Sequence, residues 1–354
     1  MKTQLSIKQL AEQIEANQRA KEDFVATTNA LQVVEAGPQG YQLTVDTDEL
    51  TAQYGVNDHA HRQIASRLDI PSKYYNRMRE EAPELYTDSV NHWLHARPER
   101  RLVRTLGGDV RAFLSDRYQR IENEQIAEVV LPILADIPDV NFVSTAITDQ
   151  RMYIKAVTPR IKADVAVGDT VQAGIVISNS EVGAGAVKIE PLVYRLVCKN
   201  GMVVNDAKMR ANHVGSRTGD QEKIAHILSD EAIAADDNAI LLKVRDVVRA
   251  SVTQEFLDET VVKMRHSMNE RIEGDVPASV EVLSTKMGFS KQEGSGILRH
   301  LIEGGDISRY GVLNAVTRYS QDVEDYDRAT ELETAGGAVL EMKARDWREI
   351  SQAA

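Results

Sequence analysis

Residues 101–114 read Arg-Leu-Val-Arg-Thr-Leu-Gly-Gly-Asp-Val-Arg-Ala-Phe-Leu and predict a β-hairpin at the centre of the chain. The pair Gly107-Gly108 can supply the positive φ angles that a two-residue hairpin turn requires. Around that turn apolar side chains alternate with others, so one face of the hairpin is expected to pack against a core. The hairpin therefore makes a β-rich centre the starting point for the whole fold.

The same turn places Arg104 directly across from Arg111 on the neighbouring strand. Two opposed cations repel each other by roughly a few tenths of a kcal/mol, so each is expected to have an anionic partner. A phosphate backbone between them is one candidate, with Phe113 as a stacking surface for a base. Carboxylates from Asp109, Glu99 or a distant acidic helix are the other candidate, and the pattern leaves both open.

Strand and helix patterns occupy different parts of the chain. Alternating residues predict strand pairs at 141–148 with 151–158 and at 170–178 with 186–198, whereas helical spacing predominates before residue 97 and after 219. Apolar residues from Leu241 to Met264 recur mostly every three or four positions, which is typical of a buried stripe on a long or broken helix. The predicted fold class is α+β, with a central antiparallel β-rich core flanked by N-terminal and C-terminal helical regions.

Charge divides the chain into three predicted domains. These are an N-terminal hairpin and helical region over 1–96, a β-rich basic core over 97–215, and an acidic helical region over 216–354. Residues 91–220 carry 17 basic and 15 acidic side chains, whereas residues 221–354 carry 16 and 25. Seven arginines fall within 97–120. The basic core is thus the expected contact region for an anionic partner.

Overall composition excludes several classes of protein. The net charge of −12 argues against a protein that coats duplex nucleic acid by bulk charge. A single cysteine, Cys198, excludes a disulfide framework, and no run approaches membrane-spanning length. We expect a cytoplasmic protein without a membrane partner. The long striped helices after residue 238 could also serve a homo-oligomer.

Basic and aromatic side chains in and beyond the central hairpin form the predicted nucleic-acid-binding set. Spread over one sheet face, they would make a groove for a single strand, although alternating Lys and Arg is also typical of a solvated sheet face. Arg217 joins the set because 211–220 precedes a predicted helix whose start could bind phosphate, or could simply be capped by Thr218 or Asp220. The members are Arg101, Arg104, Arg111, Phe113, Arg117, Tyr118, Arg120, Lys155, Lys188, Arg195, Lys199 and Arg217.

Two weaker patterns lie in the N-terminal region. Residues 61–78 have the spacing of a helix-turn-helix, with Asp69 where glycine is usual, and an ordinary pair of packed helices has the same pattern. Asp88, His92 and His95 share one face of a predicted helix and are weak candidates for metal ligands. No phosphate-binding loop of the ATPase type and no recognisable nucleophile is present, so we expect no cofactor.

Three phrases resemble a phage/plasmid-like protein family of unknown function. They are Arg111-Ala-Phe-Leu-Ser-Asp-Arg-Tyr118 followed by Ile121-Glu-Asn, Tyr194-Arg-Leu-Val-Cys-Lys-Asn-Gly201, and Tyr310-Gly-Val-Leu-Asn-Ala-Val-Thr-Arg-Tyr319. The resemblance spans roughly 55–340 and implies a role in the DNA metabolism of prophages, phages or conjugative plasmids. The family has no established catalytic residues. At the level of strand order, 101–198 is also similar to the β-rich core of single-strand annealing proteins.

These observations predict a non-enzymatic, mobile-element protein that binds DNA, with single-stranded DNA favoured, for annealing, protection or recombination. A metal-dependent hydrolase acting on nucleic acid or a nucleotide is an alternative. Another is an acidic interaction protein that mimics DNA or inhibits a host factor.

Overall fold

The computed structural model describes residues 5–37, 40–118, 121–197, 199–204 and 229–354. Its helices are α1 (Ile7–Arg19), α2 (Asp58–Arg67), α3 (Ser72–Glu81), α4 (Pro83–Ala96), α5 (Asn123–Ala135), α6 (Asp230–Ala250), α7 (Gln254–Ser267), α8 (Val276–Met287), α9 (Lys291–Gly304), α10 (Arg309–Tyr319), α11 (Tyr326–Leu340) and α12 (Ala344–Ser351). Its strands are β1 (Phe24–Thr27), β2 (Leu31–Glu35), β3 (Tyr41–Asp46), β4 (Thr51–Val56), β5 (Arg100–Leu106), β6 (Asp109–Ser115), β7 (Asn141–Ile147), β8 (Met152–Ala166), β9 (Asp169–Asn179), β10 (Lys188–Arg195) and β11 (Asn200–Val203).

The first sheet combines N-terminal strands with the central hairpin. Its strand order is β1-β5-β6-β4-β3-β2, antiparallel except where β4 and β6 run in parallel. Alternate residues of β2 and β3, such as Val33 and Leu43, are buried, and α2, α3 and α4 cover them with Ile64, Tyr75 and Tyr86. This alternation is expected for a sheet with one covered face.

The second sheet has strand order β11-β10-β9-β8-β7 and is antiparallel throughout. Ile154 of β8, Ile177 of β9 and Ile189 of β10 are register partners, so they share one face. Helices α1, α5 and α6 cover that face with Leu10, Val130 and Val244 as core members, among others. Side chains on the opposite face include Lys155, against which α11 packs.

The C-terminal helices form a second large core against the far end of this sheet. The apolar stripe predicted from Leu241 to Met264 is confirmed as a broken helix, because α6 ends at Ala250 and α7 begins at Gln254. Val248 packs in the core beneath α5, whereas Val261 packs with the C-terminal helices. Because of the break, the residues of one apolar stripe pack in two different cores.

The α+β class is confirmed, with a β-rich centre between helices. The predicted hairpin at 101–114 is also confirmed, and Gly107 and Gly108 have φ angles of 60° and 92°. No helix in the described ranges is both long enough and apolar enough to cross a membrane.

The proposed boundary between residues 96 and 97 separates strands that pair in one sheet, since β5 pairs with β1. Helix α11 runs through Gly336-Gly337 without a break and ends at Leu340. A Cβ atom on Gly337 would lie 1.9 Å from the Val203 carbonyl oxygen, so glycine lets helix and strand approach closely. The boundary at 215/216 lies outside the described residues.

Buried polar rings hold α2, α3 and α4 together. The hydroxyls of Tyr75 and Tyr86 are 2.7 Å apart, and Nδ1 of His61 lies 3.0 Å from the Tyr75 hydroxyl. Burial lowers the pKa of His61 to about 4, and the charge of Arg79 acts in the same direction. His61 is therefore neutral in the folded protein at pH 7, and its protonation opposes folding.

We expect acid to destabilise the protein through His61. Below a pH of about 6.5 the unfolded chain binds a proton that the folded chain excludes, so stability falls as pH drops from about 6.5 to 4. At pH 5 the loss from this group is about 2 kcal/mol. Urea unfolding at pH 7.5 and 5.0 measures this loss of stability, and the His61→Gln variant is the comparison. Equal pH dependence in the two proteins would contradict this role.

Candidate nucleic-acid interface

The register of the central hairpin contains a bulge that the sequence does not reveal. Arg104 pairs with Ala112, and the register shifts between Arg104 and Thr105 so that Thr105 pairs with Val110. Arg111 therefore falls in the bulge, and the predicted direct opposition of the two arginines is wrong. The extra residue of a bulge points its side chain in a different direction from the one it would have in a regular pair of strands.

Arg104 is fully buried among acceptors, with 1% of its surface exposed. Its Nε donates to Asp23 Oδ2 at 2.8 Å, its Nη2 to Glu122 Oε1 at 2.6 Å, and its Nη1 to the Glu181 carbonyl oxygen at 2.7 Å. A guanidinium in this position cannot contact a phosphate in solution. The carboxylate alternative is the one that the structure contains.

Arg111 belongs to the same buried set of charges. Its Nη1 donates to Glu181 Oε2 at 2.7 Å, and Lys21 Nζ lies 2.7 Å from Glu122 Oε2 and 2.9 Å from Glu181 Oε1. Burial opposes the charged form of Glu181, but Arg111, Lys21 and further hydrogen bonds hold its pKa well below the usual range. We call this set the charge cluster. Its members, three cations and three carboxylates, are Lys21, Asp23, Arg104, Arg111, Glu122 and Glu181.

Other members of the predicted binding set are also engaged within the protein. Phe113 is buried in the core between the first sheet and helices α2, α3 and α4, and Arg101 is buried beside Glu99. Tyr118 donates its hydroxyl to the Ser180 carbonyl oxygen at 3.3 Å, and Arg195 Nη2 lies 2.7 Å from Asp169 Oδ2. These contacts replace the predicted contacts with bases and phosphates.

The remaining members do not form one exposed groove. Lys155 is buried against Glu333, Arg117 and Lys188 are half-buried, and Lys199 is exposed. The members from Arg101 to Phe113 lie in the first sheet, and Arg117 and Tyr118 follow its strand β6 directly. Lys155, Lys188 and Arg195 lie in the second sheet, so the prediction of a shared sheet face is wrong. Arg120, Arg217 and Cys198 lie outside the described residues.

The weak metal candidates do not converge. Asp88, His92 and His95 lie on α4, but His95 Nε2 is 2.8 Å from the Leu31 carbonyl oxygen and His92 packs edge-on against Trp93 at 5.0 Å between ring centroids. Across the described ranges, no group of three His, Cys, Asp or Glu side chains is placed to hold a metal ion.

An exposed aromatic surface lies instead beside the turn between α2 and α3. Tyr74 is 51% exposed and Trp93 is 50% exposed, and both line a cavity of about 530 Å³. Asp69 adopts a φ of 55° in the turn, which brings Ile70 and Pro71 to the cavity wall. We call it the Trp93 surface, and its lining residues are Thr28, Arg67, Leu68, Asp69, Ile70, Pro71, Tyr74, Trp93, Leu94, Arg97 and Glu99.

The cations of the Trp93 surface are unequally neutralised. Glu99 contacts both Arg67 and Arg101, and these two bonds hold its pKa below the usual range although burial acts in the opposite direction. Arg97 is exposed and forms no ion pair with any residue in the described part of the chain. One carboxylate thus pairs with two arginines, whereas Arg97, beside the two exposed rings, has no such partner in the ranges that the structure describes.

Sequence reasoning missed these rings, and helical spacing gives no signal for their exposure. Tyr86, Val90 and Leu94 form the buried stripe of α4, each four residues from the last. Trp93 comes three residues after Val90 and seven after Tyr86, so helical spacing predicts it on the same buried face. Tyr74 comes four residues before the buried Met78, so its exposure is likewise not predicted by spacing.

Comparison with protein families gives one match. The model of a domain of unknown function, DUF932, matches residues 111–335, well over half of the chain. The chain belongs to the DUF932 family. No curated protein and no solved structure matches the chain.

The DUF932 region begins inside β6 at Arg111 and ends in α11. It contains the second sheet, Arg111, Glu122 and Glu181 of the charge cluster, and the three phrases quoted above. The Trp93 surface precedes it in the sequence. The family match itself assigns no activity, because the domain has no known function.

We expect the charge cluster to be essential for folding. Glu181→Gln removes the charge that two cations share, and breaking a buried ion pair from one side typically costs about 3–5 kcal/mol. Urea denaturation measures the loss. Glu15→Gln is the matched control, because Glu15 pairs with Arg19 on an exposed face of α1. A Glu181 variant as stable as the control would contradict this role.

Proposed function

We propose that this protein binds single-stranded DNA through the Trp93 surface. The observation that carries the proposal is the pair of half-exposed rings, Tyr74 and Trp93, on one cavity beside Arg97, which has no ion-pair partner among the described residues. Aromatic side chains that stack with bases, combined with cations that track the backbone, are how proteins bind single strands without sequence preference.

Single strands fit this surface better than duplexes. A base reaches a protein ring only when it is unstacked, which is the ordinary condition of a single strand. Each base stacked on an aromatic ring contributes about 1–3 kcal/mol. With a net charge of −12 the protein gains little from bulk attraction, so stacking is expected to supply most of the affinity.

The biological setting is part of the same proposal. The three phrases that resemble phage and plasmid proteins are the reason to propose a role in a mobile element, and all three lie within the DUF932 region. In that setting a non-enzymatic, cytoplasmic protein would hold single-stranded DNA for protection or annealing. Two rings on one cavity suit this task, because they separate neighbouring bases without reading their edges.

Trp93→Ala and Tyr74→Ala should each weaken binding of a labelled single-stranded oligonucleotide about tenfold, since each removes one stacking platform. Fluorescence anisotropy measures the affinity, with a matching duplex alongside. Leu85→Ala is the control, because Leu85 is an exposed apolar residue of the same helix outside the cavity. If the wild-type protein binds no oligonucleotide at low salt, the proposal fails.

Tryptophan fluorescence gives a second readout of the same contact. The chain has two tryptophans, and Trp347 is buried at 5% exposure. In a Trp347→Phe variant the signal comes from Trp93 alone, and a stacking base should quench it. Binding without quenching would place the strand elsewhere.

Arg97→Gln should lower affinity and also its dependence on salt. One phosphate contact on a single strand contributes about 0.7 to the slope of log affinity against log salt. The slope should therefore decrease by about 0.7 in this variant. Arg345→Gln removes an exposed arginine from α12 and should leave the slope unchanged. Equal slopes in the Arg97 variant and the wild type would exclude Arg97 as a phosphate contact.

A further inference from the structure

A second cavity, of about 520 Å³, opens on the uncovered part of the second sheet beside α11. We call it the Lys155 pocket. Strands β7, β8 and β10, the segment from Lys199 to Gly201, and α11 contribute to its wall. The lining residues are Asn141, Phe142, Val143, Ser144, Lys155, Leu192, Tyr194, Lys199, Gly201, Gln321, Tyr326 and Glu333.

A buried ion pair lies at the base of the Lys155 pocket. Lys155 Nζ is 2.6 Å from Glu333 Oε2 and 2.9 Å from Thr330 Oγ1, and it lies 4.8 Å from the ring centroid of Tyr326. Burial disfavours the charged lysine, but Glu333 outweighs it and raises the lysine pKa. The lysine charge therefore persists at neutral pH in a site from which water is largely excluded.

This ion pair leaves one acceptor unused. Glu333 is 5% exposed, and its Oε1 accepts no hydrogen bond from any residue in the described ranges. This oxygen can accept a hydrogen bond from a ligand that brings an N–H group to the pocket. The amides of Asn141 and Gln321 line the same pocket and can both donate and accept.

Aromatic rings and a cation complete the lining. Tyr194 and Tyr326 line the cavity, and Tyr194 is half-buried, whereas the side chain of Phe142 packs in the core on the opposite face of the sheet. Lys199 is exposed and pairs with no carboxylate in the described part of the chain. A flat ring system can stack here, and an anionic group on the same ligand can reach Lys199.

We propose that the Lys155 pocket binds a nucleotide whose base carries an amino group. The base would stack on Tyr194, its amino group would donate to Glu333 Oε1, and its phosphate would contact Lys199. Adenine, cytosine and guanine present such a donor, whereas thymine has a single ring N–H between two carbonyl oxygens that a carboxylate repels. This proposal does not depend on strand binding at the Trp93 surface.

Titration calorimetry of the full chain with dAMP, dCMP, dGMP and dTMP tests the proposal. We expect binding of the amino-bearing nucleotides and at least tenfold weaker binding of dTMP. Tyr194→Ala and Lys199→Gln should each weaken binding by about tenfold, through lost stacking and a lost phosphate contact. Lys162→Gln, an exposed lysine of β8 outside the pocket, is the control and should bind normally.

A free nucleotide and one nucleotide within a strand offer the same chemistry to the pocket. A second experiment distinguishes these two ligands. Oligonucleotide affinity is measured for Tyr194→Ala and for Trp93→Ala. Mononucleotide binding retained in Trp93→Ala identifies a free-nucleotide site that stands even if the strand proposal fails. A strand affinity that falls in Tyr194→Ala without mononucleotide binding identifies a nucleotide held within a strand. The proposal is overturned if no mononucleotide binds and Tyr194→Ala leaves strand affinity unchanged, or if dTMP binds as tightly as dAMP.

Discussion

The charge cluster is the constraint on which the arrangement of the two sheets depends. Lys21 and Asp23 lead into β1, and Arg104 and Arg111 belong to the central hairpin of the first sheet. Glu122 caps α5, which covers the second sheet, and Glu181 follows β9. Each charge removed from water costs several kcal/mol unless its partners are in place. Each of the six charges has an oppositely charged partner only when the hairpin of one sheet meets the end of a strand of the other, so the cluster selects one relative placement of the sheets.

Local features of this fold were predictable, and distant pairings were not. Gly107-Gly108 identified the hairpin turn, and residue spacing identified the broken helix of α6 and α7, because both signals lie within a few residues. The bulge after Arg104 has no such signal, and it alone changes which residue Arg104 faces. The carboxylates of the charge cluster lie 18 to 81 residues from their arginine partners, and Glu333 lies 178 residues from Lys155. No spacing rule identifies such pairs. Consequently the basic residues were correctly recognised as needing anions, but the anions proved to be internal.

This internal pairing also explains how an arginine-rich centre is compatible with an acidic protein. The central arginines and Lys155 are used inside the molecule, where they order its cores, and they add little to the outer field. Arg97 and Lys199, which have no ion-pair partner within the described residues, each line a cavity that also contains exposed or half-buried rings. An isolated cation beside aromatic rings is suited to a ligand that combines a flat apolar surface with a negative charge. Nucleotides have this combination, whether free or within a strand.

The position of the DUF932 region separates the two proposed sites. The Lys155 pocket is built almost wholly from residues within 111–335, so any ligand chemistry common to the family can reside there. The Trp93 surface is built from residues 28–99, outside the matched region. The charge cluster connects these parts, since Arg104 lies before the matched region and its partners Glu122 and Glu181 lie within it. A strand bound at the Trp93 surface and a nucleotide in the Lys155 pocket would therefore contact parts of the chain that one set of buried charges holds in a fixed relation. If both sites bind as proposed, the cluster would have a functional consequence beyond stability, because it would fix the distance and orientation between them.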